Sequence, residues 1–381
     1  MTLFGGCLPR GAVRVIRRFG ALLGALALSA CALPASQTGP DAPPGPKGSF
    51  SDLPGWSTTD TAAALASFVV SCKALALMPP DTSLGGSGLA KERGGQAGLW
   101  TASCAAAKAV APDDQDAARQ FFQSWFDVYR VSGAATLTGY FEPEVAGAKN
   151  DEPGARVPLY AKPAVTALAD LTRAQIDNGA LQRKTPVTAY VSNPVDAYML
   201  QVQGAGRIVL PNGRVLSVGF DGDNGQPYTP IGSILVQMGA LSAGNLSYQS
   251  ISGWLKAHPD QAQSIMEQNA NYAYLMPLGY LPANEGPPGA LGVPLSAEHS
   301  LAVDRTALPL GAPVFVVTTD PVTAQPMDIL AVAQDTGAGL AGADEADIFF
   351  GAGAEAEQIA GAMHQAGTMY LLLPRATPAS P

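Results

Sequence analysis

The chain has 381 residues, 47% hydrophobic and 14% charged, enough for one large domain or two medium ones with real cores. Its 42 Gly and 32 Pro, with no long charged helical stretch, favour a β-rich, turn-rich body over a helical bundle. A net charge of −9 without a Lys/Arg stripe excludes a nucleic-acid partner, because nothing could neutralise the phosphates.

The N-terminus reads as an address. Arg10, Arg14, Arg17 and Arg18 precede an apolar stretch from Phe19 to Ala30. That stretch is too short to span a bilayer, which takes about 20 residues, and suits a signal-peptide core. It ends in Leu28-Ser29-Ala30-Cys31, which resembles the bacterial lipobox. The resemblance implies that residues 1–30 are a lipoprotein signal peptide and that the Cys31 thiol carries lipid. Ala32, where inner-membrane lipoproteins have Asp, implies the outer membrane, facing the periplasm. The alternative is an ordinary signal peptide with an incidental cysteine. Residues 31–58, rich in Pro, Gly and Ser, read as a flexible tether. Cys7 leaves with the signal, so Cys72 and Cys104 remain as a candidate disulfide in an oxidising compartment. Closing that loop would stabilise the fold by roughly 3–4 kcal/mol; two buried free thiols are the alternative.

Asp60–Leu77 reads as a helix with Leu65, Phe68, Val69 and Cys72 on one face, and a second helix runs from Asp114 to about Arg130. From Thr136 the pattern turns to short apolar runs broken by Gly, Pro and Asn. Arg207 to Phe220 reads as a hairpin, with Asn212-Gly213 supplying the positive-φ turn. Helical stretches follow at about 231–239, 248–257 and 260–268. Strands are expected near 300–304, 313–318, 328–334 and 347–350, then a helix near 354–366 holding His364, and a last strand from Thr368 to Leu373.

Three aspartates stand out in this last third. Asp304 and Asp335 close apolar runs, and Asp347 opens one between glycine-rich segments. Such positions can present a carboxylate to a cleft, and a carboxylate near others can keep its proton at neutral pH. Turn chemistry is the bland alternative, and it is the preferred reading for Asp344 and Glu345 as a solvated loop. Three carboxylates could hold Ca²⁺, but the alternate-residue ligand spacing of a calcium loop is missing, so no metal is expected. Gly337-Ala-Gly339-Leu-Ala-Gly342 satisfies a dinucleotide pattern, yet an acidic loop and a strand follow instead of a helix, so no cofactor is expected. His258, His299 and His364 share no pattern with Cys or Asp that suggests zinc or a triad; His364 reads as surface.

Four segments occur together and in order: Leu137-Thr-Gly-Tyr-Phe-Glu-Pro-Glu144, Tyr198-Met-Leu-Gln-Val-Gln-Gly-Ala-Gly206, Gly219-Phe-Asp-Gly-Asp-Asn-Gly-Gln-Pro-Tyr228, and the three-aspartate stretch from Gly289 to Gly351. Jointly they resemble the membrane-bound lytic murein transglycosylase A family, whose C-terminal part is the three-aspartate (3D) domain. The resemblance covers roughly residues 55 to 375. It implies a mainly β, β-rich α+β fold: a double-psi β-barrel from residues 59–141 and 273–375, with the 3D region at 290–373. A second β-domain is inserted at 142–272, with a groove between the two.

The resemblance further implies a peptidoglycan lytic exotransglycosylase, a carbon–oxygen lyase. It would cleave the β-1,4 bond between N-acetylmuramic acid and N-acetylglucosamine and leave a 1,6-anhydro ring. The sugar's own 6-hydroxyl attacks, so a single carboxyl can act first as acid and then as base. By motif position Asp347 is that residue, with Asp335 and Asp304 supporting it. Thr138, Tyr140, Gln201, Gln203, Asn224 and Tyr228 are the glycan contacts, since amides and hydroxyls match sugar groups and Tyr rings stack on sugar faces. Core or hairpin roles are their alternative. Glu142 is a tempting second carboxylate that also fits an exposed strand end. The implied partners are peptidoglycan glycan strands, the outer membrane through the lipid, and proteins of a wall-remodelling complex, with the chain itself a monomer. The runner-up is a non-catalytic peptidoglycan-binding lipoprotein. Gly337-Ala-Gly339-Leu340 and Asn269–Leu275 depart from the family's usual wording without removing a chemical group.

Overall fold

The computed structural model describes residues 45, 47–131, 134–282 and 285–375. The expected signal peptide, Cys31 and most of the expected tether lie outside the described residues. The tether's far end does not behave as one. β1 (Lys47–Gly48) pairs with β2 (Phe126–Arg130), and Phe50, Leu53 and Trp56 are buried. Trp56 packs on Phe50 at 4.7 Å and on Phe315 at 5.6 Å between ring centroids. Three large apolar side chains outweigh the Pro/Gly composition, so the folded body starts before residue 59.

Asp60 and Asp114 each cap a helix by accepting the N–H three residues on, from Ala63 and Ala117 at 2.9 Å. The helices are Thr61–Leu75 and Gln115–Trp125. The second stops five residues earlier than its apolar pattern suggested, because Phe126-Asp-Val-Tyr-Arg130 extends as β2. Cys72 and Cys104 form a disulfide with Cα atoms 5.4 Å apart, joining the first helix to Thr101–Ala107.

β3 (Ala135–Glu142) leads into six strands of a second sheet: β4 (Glu144–Ala148), β5 (Val157–Tyr160), β6 (Val187–Val191), β7 (Ala205–Val209), β8 (Val215–Asp223) and β9 (Ala273–Gly279). Their order is β5-β6-β4-β7-β8-β9. The β7–β8 hairpin turns at Gly213 (φ 78°), as its Asn-Gly pair predicts. Because β9 pairs with β8, the insert ends after Gly279 and not at 272.

The chain then returns as β10 (Ser300–Val303), β11 (Pro313–Thr319), β12 (Pro326–Asp335), β13 (Glu345–Ala352) and β14 (His364–Pro374). The first sheet runs β1-β2-β14-β11-β12-β10-β13-β3, and β3 also pairs with β14. Six strands therefore close into a ring, with β10/β12 and β13/β3 parallel and the other four contacts antiparallel. That ring is the barrel body; the double-psi crossing is a finer feature than these pairings describe. The C-terminal helix is Ala354–Ala362, so His364 opens β14 and is not helical as expected.

Three polar devices hold this frame. Asp127 on β2 takes Lys47 at 3.0 Å, Arg93 at 3.1 Å and Arg375 at 3.0 Å, joining both ends of the folded chain. Gln334, wholly buried, donates to Ser67 O at 3.0 Å and Ser71 Oγ at 2.8 Å, bracing β12 against the first helix one residue before Asp335. Glu142, at the end of β3, is also fully buried and accepts from Arg207 Nη2 on β7 at 2.9 Å. Arg207 donates as well to Glu285 O at 3.1 Å, so one ion pair ties both crossings between barrel and insert. Glu142 is thus a structural clamp, neither a groove carboxylate nor an exposed strand end.

Candidate active site

The register of three neighbouring strands assembles the acidic centre. On β10, Ala302 is the partner of Asp335 on β12 and of Asp347 on β13. Strands two apart lie roughly 9.5 Å from each other, and side chains at one register level share a face. The methyl of Ala302 leaves the space between the two carboxyls open. All three residues line a groove of about 1080 Å³ whose other wall includes Arg173, Gln201 and Tyr228 from the insert.

The two carboxyls differ in their partners. Asp335 Oδ1 accepts from Ala290 N at 2.9 Å and Oδ2 from Tyr140 Oη at 3.0 Å. Burial pushes Asp335 above the ordinary carboxylate range, while those donors and the Thr336 N–H oppose the shift. Asp347 has no hydrogen-bond donor among the described residues. Burial, then the charges of Asp335 and Glu345, push it up to about 7. Tyr140 also packs on Phe349 at 5.1 Å between ring centroids. It is a strut under Asp335 first, and a glycan contact only by its place on the groove wall.

Asp304 lies elsewhere. β10 ends at Val303, so the alternation that aims Ala302 at the groove does not extend to Asp304. Its carboxylate accepts from Thr306 N at 2.8 Å, Thr306 Oγ1 at 2.7 Å and Gly342 N at 2.8 Å. Against a burial cost, these donors hold Asp304 below the usual range. It fastens the Gly337–Gly342 loop and is not the neighbour that raises Asp347. Glu345 takes that place: it opens β13, lines the groove and shares a face with Asp347 two residues on, so it is no solvated loop residue. Its carboxylate accepts from Ala341 N at 3.1 Å.

The expected glycan contacts divide. Thr138 is the β3 partner of Asp347 and lines the groove. Tyr228 reaches over the same loop, where a side chain on Gly339 would come 3.5 Å from its ring. Gln203 faces the groove while its Oε1 accepts from Phe141 N at 3.1 Å. Gln201 accepts from Arg173 Nη1 at 2.6 Å. Asn224 is a correction. It is buried, donates to Leu171 O and Ala270 O at 2.8 Å each, and accepts from Tyr272 N at 2.9 Å, so its amide is consumed within the insert.

Ala302 and Arg173 also line the groove and carry no mark in the sequence, and Glu345 and His364, which read there as a solvated loop residue and a surface residue of the last helix, line it as well. One of them had a usable signal. Glu345 stands two residues before Asp347, the strand period. His364 is the β14 partner of Thr138, which follows only from ring closure. Among the described residues, no group of three or more His, Cys, Asp or Glu is placed to hold a metal ion.

This geometry recurs in known proteins. Residues 166–276 match the MltA specific insert domain and residues 299–373 match the 3D domain. The crystal structure of a membrane-bound lytic murein transglycosylase from Agrobacterium tumefaciens is 28% identical, covering 86% of this chain and 97% of that one at a TM-score of 0.77. MltA from Neisseria gonorrhoeae is 30% identical over 88% of this chain and 97% of its own, with a TM-score of 0.70. The chain belongs to the membrane-bound lytic murein transglycosylase A family. Membrane-bound lytic murein transglycosylase A of Escherichia coli K12 is 28% identical over 266 residues, 67% of this chain and 71% of that protein. A crystal structure of E. coli MltA with bound chitohexaose is 25% identical, covering 74% of this chain and 84% of that one at a TM-score of 0.62. The segment matching the 3D domain carries Asp304, Asp335 and Asp347, and the insert match carries Arg173, Gln201 and Tyr228.

Proposed function

We propose that this chain is a peptidoglycan lytic transglycosylase that cleaves the β-1,4 bond between N-acetylmuramic acid and N-acetylglucosamine and forms the 1,6-anhydro ring. The observation that carries the reading is a carboxyl in the groove, Asp347, raised to about 7 beside a second carboxyl already engaged by donors. Asp335 is the better anion of the pair, because Tyr140 and two backbone N–H groups favour its charged form. The proton therefore stays on Asp347. Asp347 donates it to the leaving glycosidic oxygen, and the resulting carboxylate takes the proton of the 6-hydroxyl as that oxygen bonds to the anomeric carbon. The C–O bond broken is replaced by one formed within the sugar, so no water is consumed. A positioned intramolecular hydroxyl supplies the high effective concentration that a separate nucleophile would otherwise provide.

The groove fits a polymer. Tyr228 and Thr138 flank Asp347, and Gln203 adds an amide. A relative of this chain that was crystallised with chitohexaose supports a glycan there. A purely binding lipoprotein would need no proton stored at neutral pH, and this favours the enzyme over the binding module. The relatives' description as membrane-bound supports an outer-membrane lipoprotein, with lipid on Cys31. Asp347→Asn tests the reading. We expect murein digestion to fall by about 10³-fold or more with the fold retained. Retained digestion would reject Asp347 as the acid.

A further inference from the structure

The loop that joins the two carboxyl strands crosses the end of the strand between them. β12 ends at Asp335 and β13 begins at Glu345, on either side of β10. β12 runs parallel to β10 and β13 antiparallel, with Asp335 opposite Ala302 and Ala346 opposite Val303. Residues 336–344 therefore pass over the point where β10 runs out, and Asp304 is the next residue there. Two consecutive N–H groups of this loop are gripped by carboxylates. Ala341 N donates to Glu345 Oε2 at 3.1 Å, and Gly342 N to Asp304 Oδ2 at 2.8 Å. Asp304 is itself fixed, its Oδ1 accepting from Thr306 N at 2.8 Å and Thr306 Oγ1 at 2.7 Å.

Pinned in this way, the loop brings an apolar side chain to the acid. Leu340 N donates to Gly337 O at 3.2 Å, which turns the chain back on itself. A side-chain carbon on Gly337 would lie 3.1 Å from Leu340 Cδ1 and 3.6 Å from Asp347 Oδ2. One point in space is thus within contact range of both groups, and a side chain there would press on Leu340.

We propose that this loop is a water shield for the acid and that Asp304 is a positioning residue working through it: Asp304 pegs the loop, and the loop seats Leu340 beside Asp347. The inference rests on the function proposed above. It gives the third aspartate a part in the reaction without a place in the groove. A carboxyl holds its proton more firmly where water cannot solvate its anion, and hydrocarbon on one side supplies that condition. Burial is the first cause of the upward shift at Asp347, ahead of the charges of Asp335 and Glu345. The other charged or titratable groups lining the groove are Tyr140, Asp223, Tyr228, Arg173 and His364. Leu340→Ala changes none of these, so a change in acidity on that substitution reports the shield alone.

The test is the pH profile of murein digestion by the full chain, comparing wild type with Leu340→Ala and Asp304→Asn. Leu340 is half-buried on a loop, and its truncation leaves every strand intact. Asp304→Asn keeps the shape but exchanges one accepting oxygen for a donor, so Thr306 and Gly342 cannot both be held. Opening the shield hydrates the Asp347 anion, and the acid form is then lost at lower pH. We expect the alkaline limb to move about one unit to lower pH in both variants. That is about tenfold slower digestion above the limb and a rate within about twofold of wild type near pH 5. An unmoved limb in either variant, or a rate lowered by one factor at every pH, overturns the inference and leaves Asp347 as the acid. Undiminished digestion by Asp347→Asn overturns the proposed function, and the inference with it.

Discussion

Asp335 and Asp347 are register partners of one residue, Ala302, from opposite sides of β10. Two carboxyls thus share a face with a single methyl between them, and their hydrogen bonds make them unequal. Asp335 is held by Tyr140 and Ala290, and Asp347 has only burial and neighbouring negative charge. In the proposed reaction this inequality separates the acid from its electrostatic support.

Tyr140→Phe removes one donor from Asp335 and keeps the ring against Phe349. With less help for its anion, Asp335 competes for the proton. We expect turnover to fall about tenfold and the alkaline limb of the pH profile to move to lower pH. Unchanged rate and profile would show that the strut does not act on the pair.

The pH dependence has a definite sign. The acid form of Asp347 is present below about 7 and is lost as pH rises through that value, so activity should decline on the alkaline side. Stability follows the same group. Its pKa is raised from 3.8 to about 7 in the folded chain, so its contribution is full below 3.8 and is lost between 3.8 and about 7. Denaturation curves across this window should show Asp347→Asn gaining on the wild type as pH rises.

The Glu142–Arg207 clamp predicts a stability effect without chemistry. Arg207→Ala leaves a fully buried carboxylate uncompensated and should cost about 3–5 kcal/mol, read by denaturant melts. Arg207→Lys should recover only part, because one ammonium cannot also serve the Glu285 carbonyl in the same fork geometry. Activity should fall with the fold and not before it.

The sequence shows the chemistry more clearly than its architecture. The β7–β8 hairpin, the two Asp-capped helices and the strands carrying Asp335 and Asp347 are local patterns, and local physics decides them. Partners distant in sequence decide the rest. Asp304 looked like a second support of Asp347 beside Asp335, but β10 ends one residue too early to aim it at the groove. Asn224 and Glu142 looked available, and their hydrogen bonds to Leu171, Ala270 and Arg207 exist only once the insert has folded. His364 continued a helical run by composition, yet closure of the ring against Thr138 extends it. Residues 47–56 looked like linker because Pro and Gly mask Phe50, Leu53 and Trp56.

The Cys72–Cys104 bond closes a loop with a sequence separation of 32. Replacing both cysteines by serine should lower stability by about 3 kcal/mol in denaturant melts. The acidic centre lies on other strands, so specific activity of the folded fraction should be unchanged.

The central claim is that one carboxyl carries both proton transfers and that no water enters the product. Digestion of murein in heavy-oxygen water, followed by product mass, tests it most directly. The account predicts unlabelled anhydro-muropeptides, one water lighter than hydrolysed ones, from the wild type and none from Asp347→Asn. Reducing ends that carry the heavy oxygen would contradict it and indicate a hydrolase in the same groove.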